Sequence, residues 1–309
     1  MLHNHYPVSV GLVLFGVFYG LVPHSSGEEN FPLLLSPAAL AAQHDAVCLV
    51  DVRSAEAFLE KRIPGSVWLS SREFSETRNG IPGMLPAPEV LSALLSERGI
   101  GQDEPVVLYG ENDSAGDLSA VARVFWALDS LGYPQVAILD GGLSRWEAEN
   151  RELTTEPPSS PRPHVTVALN PEMWRKVADK TRVAQALKNQ NVVLVDARPA
   201  NQYSGATPIL NMTRKGHIPG ARNIPYTTVL TAPHAVFKPL PEIEGVLYTD
   251  GVTRETEVIT YCNTGMFSST VYLAYRLLGH ESVAMYDGGM FEWDSDGSLP
   301  VSIAPTESN

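Results

Sequence analysis

Cysteine is almost missing from this chain of 309 residues, with Cys48 and Cys262 alone. A disulfide framework is therefore excluded, and a single bridge is the most that could form. Basic side chains are also scarce, 22 against 35 acidic ones, which leaves a formal net charge of −13 and no Lys/Arg-rich run. A nucleic-acid binder needs a basic field, so no nucleic-acid partner is expected. An acidic protein that handles an anion must supply its cations locally. Long apolar runs are lacking too, apart from Val8 to Val22, which is short for a transmembrane helix and leads into Ser25-Ser26-Gly27. Residues 1–27 read as a signal peptide, although Met1 to Pro7 holds no Lys or Arg. The expected location is periplasmic or secreted, with a membrane-anchored or cytoplasmic protein as the alternative.

What is present is a core and a repeat. A hydrophobic content of 44% over this length suggests about two domains. Val47-Cys48-Leu49-Val50-Asp51-Val52-Arg53, followed by Phe58 and Ile63-Pro64-Gly65-Ser66, returns as Val192-Val193-Leu194-Val195-Asp196-Ala197-Arg198, Tyr203 and His217-Ile218-Pro219-Gly220-Ala221. Asp140-Gly141-Gly142 returns as Asp287-Gly288-Gly289, and Trp146 and Trp293 each stand six residues past the aspartate. Shared order and spacing mark an internal duplication. In the first copy the periodicity predicts strands 47–52, 105–109 and 136–139 and helices 54–60, 88–98, 117–131 and 142–149. That alternation predicts an α/β fold in which a parallel sheet is covered by helices on both faces. The expected domains are 30–153 and 165–305, joined over 154–164 by a proline-rich, semi-rigid linker.

The two cysteines differ in setting. Cys48 lies in the run Ala46-Val47-Cys48-Leu49-Val50 and reads as a core residue. Cys262 follows the predicted strand Val258 to Tyr261 and precedes a helix predicted from Ser268 to Leu278. A helix N-terminus offers unpaired N–H groups and a positive dipole end, a setting that favours a thiolate. Gly265 permits a tight turn, and Ser268, Ser269 and Thr270 offer hydroxyl donors or helix caps. From the loop alone, an activated thiol and a small buried hydrophobe both remain open.

The paired Asp-x-Arg strands, the His217-Ile218-Pro219-Gly220-Ala221 turn, the cysteine loop and the Asp287-Gly288-Gly289-x-x-x-Trp293 ending together resemble the tandem rhodanese-domain sulfurtransferases. The resemblance implies two rhodanese folds, each with a five-stranded parallel sheet, and a catalytic cysteine in the second domain only. It also implies double displacement through a persulfide on Cys262, with the loop Asn263, Thr264, Gly265, Met266, Phe267 and Ser268 holding the charge and no metal or organic cofactor. Asp196 and Arg198 are expected to organise the loop from below, with Gln202 in support; His217 reads as a turn residue, and Asp287 and Trp293 as fold determinants. The implied partners are a small sulfur donor, thiosulfate or 3-mercaptopyruvate, and a thiol or cyanide acceptor, with a thioredoxin-like acceptor as a further candidate. Export would favour a persulfide protected in a pocket.

Gly110 stands opposite Cys262 in the first copy, followed by the acidic stretch Glu111-Asn112-Asp113, which is expected to repel an anion. The first domain is therefore expected to be non-catalytic. Two positions depart from the family pattern: Gln202 stands where an arginine is common, and Thr264 where a lysine is common. Arg214, Lys215 and Arg222 are candidates to replace those cations. A rhodanese-like phosphatase would need an arginine closing the cysteine loop, and none follows Cys262 before Arg276. The remaining alternative is a persulfide carrier serving a partner protein.

Overall fold

Short apolar runs bounded by Ser, Pro and Gly make short strands and capped helices, and the chain delivers them twice in the same order. The computed structural model describes Met1, 31–156, 162–232 and 235–303. Apart from Met1, the expected signal peptide lies outside the described residues, as do 157–161 of the expected linker.

The first copy runs β1 (Leu34–Leu35), α1 (Pro37–Ala42), β2 (Cys48–Asp51), α2 (Ala55–Glu60), β3 (Val67–Trp68), an antiparallel hairpin of β4 (Glu76–Arg78) and β5 (Ile81–Met84), α3 (Pro88–Glu97), β6 (Val106–Tyr109), α4 (Ala115–Ser130), β7 (Val136–Leu139) and α5 (Gly142–Ala148). The second runs β8 (Val177–Ala178), α6 (Lys180–Ala186), β9 (Val192–Asp196), α7 (Ala200–Tyr203), β10 (Arg222–Asn223), a hairpin of β11 (Leu230–Thr231) and β12 (Val236–Phe237), α8 (Leu240–Leu247), β13 (Glu257–Tyr261), α9 (Met266–Leu277), β14 (Val283–Tyr286) and α10 (Gly289–Ser295). Each copy builds a five-stranded parallel sheet, ordered β1-β7-β6-β2-β3 and β8-β14-β13-β9-β10, so the duplication holds at the level of topology. β2, β6 and β7 are buried at every position. Strands covered on both faces read as continuous apolar runs rather than alternating ones, as these do.

Side-chain hydrogen bonds repeat as well. The Tyr109 hydroxyl accepts from Ile63 N at 3.3 Å and the Tyr261 hydroxyl from Ile218 N at 3.2 Å, fixing each Ile-Pro-Gly turn to a central strand. Trp146 Nε1 donates to Glu152 O and Trp293 Nε1 to Pro300 O, both at 2.8 Å, which pins the chain leaving α5 and α10.

The two copies share one hydrophobic cluster, and each keeps a further one of its own. Val121, Phe125 and Leu128 of α4 and Val271, Tyr272 and Tyr275 of α9 belong to the same buried cluster. Within it, the hydroxyls of Ser119 and Thr270 are 2.8 Å apart. A buried ionic cluster closes one end of this interface: Asp129 accepts from the Tyr272 hydroxyl at 2.5 Å, pairs with Arg276 Nε at 3.2 Å and also pairs with Lys176. Phe31–Asn309 accordingly forms one compact unit. Residues 165–168, assigned to the second domain from the sequence, hydrogen-bond to the first: Val165 N donates to Ser96 O, Ser92 Oγ to Val167 O, and Ala168 N to Gln102 Oε1. The extended segment leaving the linker is strapped along α3 because its backbone groups find partners there.

Candidate active site

Cys262 directly follows the central strand of the second sheet, where β13 gives way to α9, and is 1% exposed. The helix starts at Met266, two residues before the position predicted from Ser268. Gly265, at φ +80°, turns the chain into it without a side-chain cap. The serines that suggested a cap are used otherwise: Ser269 Oγ donates to Met266 O at 2.6 Å and reaches Ser119 O at 3.2 Å, while Ser268 Oγ donates to Cys262 Sγ at 3.6 Å. Met266, Phe267 and Ser268 therefore form the first turn of α9, where backbone N–H groups lack intrahelical acceptors and the dipole is positive.

The loop is held by its carbonyls. Met290 N donates to Cys262 O at 2.9 Å and Phe291 N to Asn263 O at 3.3 Å, so the first turn of α10 ties back the carbonyl oxygens of the cysteine and of the residue after it. Gly289, at φ +55°, makes this approach possible, since a β-carbon there would lie 2.5 Å from Asn263 O and 2.6 Å from Cys262 O. Peptide units whose oxygens are tied to α10 direct their N–H groups to the opposite side, which is the arrangement an anion cradle needs.

Beneath the loop, Asp196 and Arg198 are both buried and paired, Nη2 to Oδ2 at 2.5 Å and Nε to Oδ1 at 2.9 Å. Burial opposes the guanidinium charge, yet the Asp196 carboxylate holds Arg198 above the ordinary arginine value. Its Nη1 lies 3.5 Å from Asn263 Oδ1, and Asn263 Nδ2 donates to Gln202 Oε1 at 3.0 Å. Arg198, Asn263 and Gln202 thus form one line of contacts ending in a neutral amide. Phe267 stacks on Tyr226, ring centroids 4.1 Å apart, and the Tyr226 phenol is raised by burial and then by the charge of the nearby Cys262. His217 is a turn residue, stacked on Tyr203 with Nδ1 2.9 Å from Tyr203 O.

Two of the three candidate replacement cations are engaged elsewhere. Arg214 pairs with Asp294 at 3.0 Å and donates to Trp293 O and Leu299 O; Arg222 pairs with Asp250 at 2.6 Å and donates to Thr249 O. Lys215 is exposed.

The first domain keeps the tether without the thiol. Leu143 N donates to Gly110 O at 2.8 Å and Ser144 N to Glu111 O at 3.2 Å, reproducing the α10 pattern from α5. A side chain at 110 would meet Val121 Cγ2, 2.8 Å from its β-carbon. The Glu111 carboxylate pairs with Arg53 Nη1 at 2.7 Å, an arginine that also pairs with Asp51. Cys48 is a core thiol in β2, pushed up to about 12 by burial, which Arg162 opposes and Glu104 reinforces.

Gly83 and Arg123 escaped the sequence reading, and Asp287 was read only as a fold determinant, because the domain interface creates their roles. Gly83, in β5, packs on the loop so closely that a β-carbon would lie 2.6 Å from Thr264 Cβ. Asp287 accepts from Leu85 N at 2.7 Å and pairs with Arg123 at 3.0 Å, both from the first domain. It is an interdomain latch, whereas its counterpart Asp140 pairs locally with Arg145. Arg123 is the third; its only signal in the sequence is an arginine among the apolar residues Val121, Ala122, Val124 and Phe125.

The rhodanese-like domain family matches this chain twice, over 36–149 and 179–296. The chain is 32% identical over 253 residues to the 3-mercaptopyruvate sulfurtransferase of Escherichia coli strain K12, covering 81% of this chain and 86% of that protein. It is 30% identical over 276 residues to the thiosulfate sulfurtransferase of Azotobacter vinelandii, covering 89% and 98%. A crystal structure of a 3-mercaptopyruvate sulfotransferase from Escherichia coli matches with a TM-score of 0.72 at 28% identity, covering 84% of this chain and 98% of that one. The anaerobic ergothioneine biosynthesis enzyme of Chlorobium limicola shares the fold, with a TM-score of 0.77 at 22% identity over 90% of this chain and 72% of that one.

Proposed function

The chain belongs to the rhodanese-like domain family as a tandem sulfurtransferase of the thiosulfate/3-mercaptopyruvate type, and on that premise we propose that it transfers sulfane sulfur through a persulfide on Cys262. The Cys262 thiolate attacks the outer sulfur of thiosulfate; the sulfur–sulfur bond breaks and sulfite leaves with the electron pair. A nucleophilic acceptor, cyanide or a thiol, then attacks the terminal sulfur of the persulfide, and the Cys262 thiolate leaves. Stabilisation comes from fixed donors aimed at the charge that moves along this axis.

The observation that carries this reading is the tethered loop. Cys262 O and Asn263 O are bound by α10, Ser268 Oγ donates to Sγ, and the open end of α9 faces the same place. The neutral pair of Gln202 and Asn263 supports weak selection for small anionic donors, so thiosulfate and 3-mercaptopyruvate both remain substrates in this account. The first domain is non-catalytic in this reading, and the apolar leader supports a periplasmic or secreted location. Among the described residues no helix is long and apolar enough to cross a membrane.

The test is thiocyanate release from thiosulfate and cyanide, run beside transfer from both donors to a dithiol and to thioredoxin. Cys262→Ser should abolish transfer in every format while Cys48→Ser retains it. Turnover by Cys262→Ser would contradict the mechanism. Transfer to a protein acceptor alone would favour the carrier reading.

A further inference from the structure

Arg123 is a residue of the first domain whose guanidinium reaches the cysteine loop. It projects from the middle of α4, is 0% exposed, and its guanidinium lies over the Trp126 ring at 4.6 Å. Its nitrogens are unequally used. Nη2 donates to Gly83 O at 2.7 Å, Phe74 O at 3.2 Å and Asp287 Oδ1 at 3.0 Å, and Nε donates to Phe74 O at 3.3 Å. Nη1 is buried and has no hydrogen-bond partner among the described residues. That nitrogen abuts the loop: a β-carbon on Gly265 would lie 2.3 Å from it. A buried donor without a partner is expensive to retain, and a desolvated guanidinium is more so. Its neighbours nevertheless hold Arg123 in place from both domains.

We propose that Arg123 is a positioning residue which the first domain contributes to the second, setting the positive potential at the Cys262 loop. The inference rests on Cys262 being the sulfur-carrying thiol. Gln202 and Thr264 bring no charge to the loop, and the Arg198 charge is met by Asp196. Arg123 supplies charge from the interface side, at Gly265, where the chain turns into α9. Asp287 offsets part of that charge and fixes its direction, so the unpartnered Nη1 is turned toward the loop. This gives the first domain a role that needs no cysteine of its own: stabilising the anionic sulfur from across the interface. Gly265 is then required twice, by its φ of +80° and by the guanidinium against it.

The experiment follows alkylation of Cys262 by iodoacetamide at neutral pH in the full-length protein, read on the Cys262 peptide by mass spectrometry. Arg123→Met removes the cation; Asp287→Asn removes the offsetting anion while keeping the side-chain shape. Both break the same ion pair, so a purely structural role moves both rates in one direction. The proposal predicts opposite directions: Arg123→Met slows alkylation and Asp287→Asn accelerates it, each by roughly threefold to tenfold, the scale on which a nearby buried charge alters a thiolate. Arg123→Lys, which keeps the charge, should return most of the rate. Rates that move together, or that do not move, overturn the proposal. Should Arg123→Met fail to fold, Asp287→Asn decides: acceleration supports the proposal, and an equal or slower rate contradicts it. Because alkylation needs no sulfur donor, the result is independent of whether Cys262 turns over thiosulfate.

Discussion

At the scale of single residues, Gly289 does work that no other residue type can do. Its φ of +55° alone would cost about 1–2 kcal/mol with a β-carbon present. That carbon would also collide with the carbonyl oxygens of Asn263 and Cys262, which Met290 N and Phe291 N hold in place. Gly289→Ala should therefore push the loop away from α10 and displace the thiol. A displacement on the order of 1 Å can cost on the order of a hundredfold in rate, so the expected outcome is turnover reduced by about that factor in a protein that still folds. Steady-state sulfur transfer beside circular dichroism checks this; wild-type turnover would contradict the tether. The sequence made Cys262 and its Asn263–Ser268 loop legible, because a thiol between an apolar strand and a helical pattern is a local signal. It also showed the Asp-Gly-Gly repeat, but not its use, since the carbonyls that demand Gly289 lie more than twenty residues earlier in the chain.

At the scale of elements, α9 is anchored at both ends by buried polar groups. Its start is the cysteine loop. Just beyond its C-terminal end, His280 is fully buried, with Nε2 2.8 Å from Thr256 O and Nδ1 3.2 Å from the Tyr248 hydroxyl. A histidine after a helix C-terminus gains from a positive charge, but burial outweighs that, and the ring is held below its ordinary value of 6.5. Between that value and the lower folded one, the unfolded chain binds the extra proton, so stability rises with pH across this window. The contribution is complete above about pH 6.5 and is lost as pH falls toward the folded value. Urea unfolding between pH 7.5 and 5.5 should show the midpoint falling on acidification, with a shallower fall in His280→Gln. Equal slopes in the two proteins would remove His280 from the account. The helix itself was visible in the spacing of Val271, Leu273, Ala274, Leu277 and Leu278, while its start was misplaced. Ser268, Ser269 and Thr270 resemble a cap in sequence, but they lie inside the helix, where Ser269 and Thr270 bond to α4 and Ser268 to the cysteine sulfur.

At the scale of the whole molecule, one duplicated plan has been put to two uses. Both domains keep the Asp-x-Arg pair, the tyrosine fastening the Ile-Pro-Gly turn, and the tether from the last helix to the loop after the central strand. Only the second places a thiol in that loop. The first closes the equivalent position with Val121 and turns α4 to a different task, packing on α9 and bringing Arg123 to Gly265. The division into two similar α/β domains was legible because each carries the same order of motifs. Their joint core was not, since nothing local in α4 or α9 announces which buried face meets the other. The central claim is that Cys262, held by this two-domain frame, becomes a persulfide. Intact-peptide mass spectrometry after incubation with thiosulfate, and separately with 3-mercaptopyruvate, tests it most directly. The expected result is the added mass of one sulfur atom on the Cys262 peptide, absent from the Cys48 peptide and removed by cyanide. An unmodified Cys262 with both donors would contradict it.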